Sequence, residues 1–252
     1  MARQKADHSG KYLYAIIAGE NDRVFGPFGI DGGAVYTVSD GRIAAVISDF
    51  DAAKVRPERR HLAAHQEVLK KLMEETTPLP MSFGIIAHGP KAIKKILSFH
   101  QQAFIEKLDH VAGKVEMGLR VTWEVPNIFE YFVLTHEELQ AARDLYLDRN
   151  REPSQEDKIE VGRLFDRILN EDREAYADRV EDVLALCCIE SKRNRLRNER
   201  EVINLACLVE RDGLEEFEKG IFEAARLFDN NFAFDYNGPW APHNFVNIAL
   251  NL

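Results

Sequence analysis

No stretch of the sequence approaches ~18 uncharged apolar residues, so no membrane-spanning helix is expected. Cysteine is scarce: Cys187, Cys188 and Cys207 are the only three, all inside apolar runs and without zinc-type spacing. That excludes a disulfide-stapled scaffold and predicts buried thiols in a reducing cytoplasm. The opening MARQKADHSGK has neither an apolar h-region nor a cleavage pattern, so residues 1–10 read as a disordered lead-in rather than a signal peptide. Excess positive charge is missing too. A formal net charge of −9 argues against generic nucleic-acid binding. There is no Walker A loop and no G-x-S-x-G, and the glycines of FGPFGIDGG (25–33) do not form G-x-G-x-x-G, so they read as turn glycines.

What is present is ample apolar material, 45% of 252 residues, enough for one large core or two modest ones. KYLYAIIA (11–18) reads as a strand. AVYTVSDGRIAAVIS (34–48) reads as a hairpin turning at Asp40-Gly41 in type I′ geometry. Pro57 opens a helix to about Glu75 with Leu62, His65, Leu69 and Leu72 on one face. TTPLPMSFGIIAH (76–88) breaks at two prolines and resumes as a strand. Residues 90–110 are helical, with Ile93, Leu97, Phe104 and Leu108 inward. VEMGLRVTWE (115–124) alternates: Val115, Met117, Leu119, Val121 and Trp123 on one face, Glu116, Arg120, Thr122 and Glu124 on a wet one.

A charged helical stretch follows. Thr135 and Glu138 read as a capping box, and Pro153-Ser154 precedes a helix over about 155–180 carrying Val161, Leu164, Phe165, Ile168 and Tyr176. VLALCCIE (183–190) and VINLACLVE (202–210) read as strands, Asp212 as the cap of a helix with Leu214, Phe217, Ile221 and Phe228, and NFAFDY (231–236) as the last strand.

The predicted class is therefore α+β in two domains. A small N-terminal β-hairpin/helix unit spans 11–77. A larger ferredoxin-like α+β domain spans 78–252, with a charged helical insertion at about 127–180 and a packed aromatic tail at 237–252.

Three groups invite a chemical reading. His61 and His65, at i and i+4, resemble a zinc-binding pair, but the segment is H-L-A-A-H without a glutamate base or an evident third ligand, so no metal is expected. The basic segment SKRNRLRNER (191–200) offers Arg193, Arg195 and Arg197 as a docking patch for an acidic partner, or as a solvated loop protecting a sheet edge. No aromatic residues interleave with these charges, which disfavours nucleic acid. The tail FAFDYNGPWAPHNFVNIALNL (232–252) is too apolar to stay in water: it covers its own domain or meets another chain. The first is expected, with Pro239 and Pro242 setting the path and Trp240 as the plug.

Taken together, KYLYAII, PLPMSFGIIA and YNGPWAPHNFVNI resemble the gas vesicle protein F/L family (GvpF/GvpL), leaning to the F type. The matching positions at the start are Tyr12, Tyr14 and His65, then Leu79, Pro80, Phe83 and Gly84 of the L-P-x-x-F-G strand. In the tail they are Gly238, Pro239, Trp240, Pro242, Asn244 and Phe245. Ala241 and His243 stand where the family often has proline and tyrosine. The resemblance implies a minor structural or assembly component of gas vesicles in the cytoplasm, associated with the hydrophobic wall subunit GvpA and with other accessory proteins. It implies no catalytic residue, no cofactor, and no membrane or nucleic-acid partner; the motif residues look structural. The competing expectations are a small-molecule-binding regulator or enzyme on a ferredoxin-like domain, and an adaptor docking through the charged helices.

Overall fold

The computed structural model describes residues 10–146 and 154–246. The lead-in up to residue 9, Pro153 and the tail beyond Val246 lie outside the described residues, and Gly10, assigned above to the lead-in, is the first residue of a strand. The chain divides into two units, one made of the residues up to Glu116 together with those from Pro239 onward, the other of Met117–Gly238. The expected boundary near 76–80 falls inside the first unit.

The first unit is built on β1 (Gly10–Ala18), which is buried from Lys11 to Ile17. Both alternating sets of side chains are inside, so both faces of this strand are covered. Its sheet contains β2 (Val24–Gly26), β3 (Val35–Ser39), β4 (Ile43–Phe50), β5 (Leu79–Pro80) and β6 (Ile86–Ala87), in the order β2-β3-β4-β1-β5 with β6 also pairing with β1. The β1–β4 register steps from Leu13↔Ile47 to Ala15↔Val46, so Tyr14 is an inserted bulge residue.

The predicted hairpin is present with a different turn. Asp40 N–H donates to the Ile43 carbonyl and positive φ occurs at Gly41 (85°) but not at Asp40, so Gly41-Arg42 is the loop and the pattern is that of type II′. The strand predicted for 76–88 is two short pieces, both antiparallel to β1. Pro80 lacks an N–H and Gly84 sits at φ 96°, which interrupts the ladder between them.

α1 (Arg59–Met73) buries His61, His65, Val68 and Leu72, while Leu62 is 41% exposed, so its inward face is rotated from the expected one. The helix expected over 90–110 is two, α2 (Pro90–Phe99) and α3 (Gln101–Val111), broken at His100, with Ile93, Leu97, Phe104 and Leu108 all buried as predicted. Both pack against this sheet. That is why the first unit extends well beyond residue 77.

The second unit contains β7 (Lys114–Trp123) from Met117 onward, α4 (Ile128–Thr135), α5 (Glu137–Tyr146), α6 (Gln155–Leu184), β8 (Glu190–Arg193), β9 (Glu201–Glu210), α7 (Leu214–Ala225) and β10 (Phe232–Trp240) as far as Gly238. The sheet order is β10-β7-β9-β8. With helices between β7 and β8 and between β9 and β10, this is the β-α-β-β-α-β connectivity of a ferredoxin-like unit. The charged helices are thus the first crossover itself rather than an insertion. Trp123, Phe132, Phe165, Val180, Leu205 and Phe217 anchor the core.

Several local expectations change. α6 continues to Leu184, taking Val183 and Leu184 of VLALCC into its last turn and leaving 185–187 as a turn, so of the run to Glu190 only Glu190 is strand; a short apolar run does not by itself distinguish helix from strand. The capping box is Ser154 with Asp157, not Thr135 with Glu138. The Thr135 hydroxyl donates instead to the Tyr131 carbonyl, 2.9 Å away. Asp212 lies in a 3-10 turn and makes no cap bond. Phe228 lies beyond α7 and stacks with Tyr176 and Phe232. Cys207 is buried, but Cys187 and Cys188 are only half-buried. Among the described residues no helix is long and apolar enough to cross a membrane.

Candidate functional site

Five motif residues converge in the first unit. Tyr12 and Tyr14 stand on β1 with ring centroids 4.7 Å apart; His65 of α1 is 5.8 Å from Tyr12 and 5.6 Å from Tyr14; Phe83 is 5.9 Å from His65. Gly84 N–H donates to the Tyr12 hydroxyl at 3.1 Å. That leaves the Tyr12 proton for His65 Nδ1, 2.9 Å away, so neutral His65 carries its own proton on Nε2. His65 Nε2 is buried, with no hydrogen-bond partner of good geometry among the described residues. Burial, with a smaller contribution from the charge of His243, pushes the His65 pKa down to about 4. Burial pushes the Tyr12 phenol well above the usual tyrosine range. Tyr14 accepts from Ile30 N–H and shares a hydrogen bond with Ser48 Oγ, both at 2.8 Å. Pro80 lies beside this cluster, opposite Ala15. The cluster ties β1, α1 and the L-P-x-x-F-G segment together, which is a structural role for the motif.

His61 and His65 do not form a joint site. His61 Nδ1 donates to the Arg56 carbonyl (2.8 Å) and its Nε2 lies 3.2 Å from Asp31, while His65 faces Tyr12. Helical spacing alone could not reveal that the two rings are committed to different neighbours.

The tail is tethered, but not by the tryptophan. Trp240 is 47% exposed, whereas Ala241, Phe245 and Val246 are buried at 3%, 1% and 7%. Phe245 is therefore the plug and the expectation for Trp240 is corrected. Asn244 is gripped by Glu116, which accepts from its N–H (2.8 Å) and its Nδ2 (2.6 Å). Glu116, placed on a wet face by alternation, is only 7% exposed for this reason. Gly238 (φ 132°) and Pro239 mark the passage from one unit to the other.

The basic segment is largely structural. Arg193 of β8 is clamped by Glu174, Asp178 and Glu181 of α6, and these carboxylates hold its guanidinium even further above the ordinary range. Arg173 of α6 donates to the carbonyls of Glu201, Asn198 and Glu199, and Arg200 to those of Val125 and Pro126. Arg195 and Arg197 have exposed side chains without ion-pair partners among the described residues. The patch proposed from sequence thus shrinks to Arg195 and Arg197. Arg193→Ser is expected to cost about 1 kcal/mol, the scale of a partly exposed charge network, and Arg195→Ser with Arg197→Ser close to zero. Urea denaturation of each variant checks this, and equal stability of all three would contradict the clamp.

One feature escaped sequence reasoning. An apolar groove of about 610 Å3 lies against α2 in the first unit. Its lining includes Ile86, Ala87, Ala92, Ile96 and Phe99, with His88 and Lys95 as the polar members. Phe99 is 69% exposed. The signal was available: Ala92, Ile96 and Phe99 recur at i, i+4 and i+7, a second apolar stripe beside the inward Ile93 and Leu97.

Fold and motif cluster together define a two-unit α+β protein with a ferredoxin-like second unit. A family model described as "Gas vesicle synthesis protein GvpL/GvpF" matches residues 10–247, and the chain belongs to that family. It is 27% identical to gas vesicle protein F1 of Halobacterium salinarum, over 95% of this chain and 93% of that protein. It is 25% identical to gas vesicle protein F of Haloferax mediterranei, over 95% and 94%. The crystal structure of GvpF from Anabaena sp. PCC7120 superposes with a TM-score of 0.81 at 24% identity, covering 96% of this chain and 99% of that one, which establishes the shared fold. The names of these relatives agree with the leaning to the F type.

Proposed function

We propose that this protein is a non-enzymatic assembly or minor structural component of gas vesicles that acts in the cytoplasm by binding the hydrophobic wall subunit GvpA. The observation that carries the reading is the exposed apolar groove on a chain of this family. A subunit that forms a gas-filled shell must present apolar surface before assembly and would aggregate alone. An acidic, highly charged chain with a built-in apolar recess can hold such a surface in water. The interior polar groups support binding rather than catalysis, because they are committed to the fold: His65 to Tyr12, Glu116 to Asn244, Lys11 to Asp49.

A small-molecule site on the second unit is the weaker reading. The cleft there is about 150 Å3 and is lined by Arg173 and Arg193. Both arginines are already spent on carbonyls and carboxylates.

The test is retention of GvpA on the immobilised protein, with an unrelated apolar protein as control. Selective retention of GvpA is expected. Equal recovery of the control, or none of GvpA, would sink the reading.

A further inference from the structure

The groove carries more than apolarity. Its floor is the sheet edge at Ile86–Ala87 and the α2 stripe of Ala92, Ile96 and Phe99. α2 buries Ile93, Ile96 and Leu97, whereas Phe99 at its end is 69% exposed and is not needed to close this fold. The charge around it is anomalous. From Thr76 to Ile105 there is no aspartate or glutamate, in a chain with 42 of them. The same span supplies Lys91, Lys94 and Lys95, all exposed and without ion-pair partners among the described residues, with Lys95 lining the groove itself. Some exposed cations elsewhere are paired, such as Arg60 with Glu58 and Arg163 with Glu160, and others, such as Lys54, Lys70 and Lys158, have no ion-pair partner among the described residues, so it is the acid-free span that sets this region apart. An apolar recess with an unpaired lysine in its lining, within an acid-free span of an otherwise acidic protein, has a defined complement.

We infer that this groove is a docking site for a protein segment that carries acidic residues beside an apolar face, its apolar side chains seated against Phe99 and Ile86 and its carboxylates on Lys95 of the lining and on Lys91, one helical turn before it. A volume of about 610 Å3 suits a few side chains of one helix or strand. The recess is concave, which favours an inserted segment over the broad face of a lipid bilayer. This deepens, and rests on, the reading of the protein as a binder of the wall subunit: it assigns the face and the charge of what is bound.

The test uses the full-length protein and two labelled synthetic amphipathic helices with the same leucine stripe, one with glutamate and one with lysine on the remaining face. Fluorescence anisotropy is expected to show the glutamate peptide binding more tightly by about tenfold or more, with the preference fading at high salt. Lys91→Glu with Lys95→Glu should abolish or invert the preference, and Phe99→Ser should weaken the glutamate peptide by about tenfold. All of these positions are exposed, so circular dichroism and melting should remain at wild-type values, and a loss of peptide binding then reports on the groove alone. Equal binding of the two peptides, or glutamate-peptide binding untouched by both variants, overturns the inference. So does binding to phosphatidylglycerol vesicles in place of the peptide, or self-association abolished by Phe99→Ser, which would give the groove to a lipid surface or to a second copy. The arms separate from the functional reading. GvpA retained while neither peptide binds overturns this inference alone; the glutamate peptide bound while GvpA is not retained overturns the wall-subunit reading alone.

Discussion

Phe245→Ala is expected to lower the unfolding free energy by about 3–5 kcal/mol, the cost of deleting a fully buried aromatic side chain and leaving a cavity. Trp240→Ala, one step outside the buried part of the tail, should cost within about 1 kcal/mol. The contrast follows from exposure: 1% for Phe245 against 47% for Trp240. It is a large effect beside the ~5–15 kcal/mol that holds a typical domain. Guanidinium denaturation of the two variants side by side measures it. If Trp240→Ala were the more damaging, the tail would be plugged as its sequence first suggested, and the burial of Phe245 would be energetically empty. With Trp240 half in water, an assembly defect of Trp240→Ala in a stable protein would point to a contact with another chain.

Acid is expected to destabilise the first unit through His65. Its folded pKa is depressed to about 4 by burial, while an unfolded histidine titrates near its ordinary value of 6.5. Between these values the unfolded chain binds a proton that the folded chain refuses, so stability rises with pH across the window. The contribution is fully present above about pH 6.5 and is lost as pH falls towards about 4. The slope is about 1.4 kcal/mol per pH unit, roughly 3 kcal/mol across the window. Other groups titrate in the same range, so the informative quantity is the difference between wild type and His65→Gln, whose amide oxygen can still accept from Tyr12. Unfolding free energies at pH 7, 6 and 5 should converge as pH falls. Parallel pH profiles for the two proteins would mean that His65 is not held neutral by burial.

Much of the fold was legible because it is written in short periods. The alternation of β7, the Asp40-Gly41 punctuation and the 3.6-residue recurrence on α2, α3 and α6 are local signals, and each produced the element it announced within a few residues. The L-P-x-x-F-G segment and the tyrosines of β1 were legible as a motif, though not as a cluster. That Tyr12 reaches both Gly84 and His65 depends on bringing together residues 53 and 72 positions apart. The errors have a common origin. VLALCC is apolar in either helix or strand, and only the continuation of the α6 stripe through Val180 and Leu184 resolves it. Arg193 looked like a free cation because its three carboxylates lie on a helix 12 to 19 residues away.

By itself, then, the sequence determined most element types, the α+β class, the family and the list of motif residues, since these rest on local period and residue identity. Three things belonged to the tertiary structure. The unit boundary moved to Glu116 because β5 and β6, separated from β1 by the whole of α1, complete its sheet. Phe245 replaced Trp240 as the anchor of the tail because Glu116, 128 residues earlier, holds Asn244 beside it. The groove of α2 stayed open because the core takes Ile93, Ile96 and Leu97 and leaves Phe99 in water. In each case the deciding contact joins residues far apart in the chain, and no local pattern states which distant group will supply a hydrogen bond or remove water from a side chain.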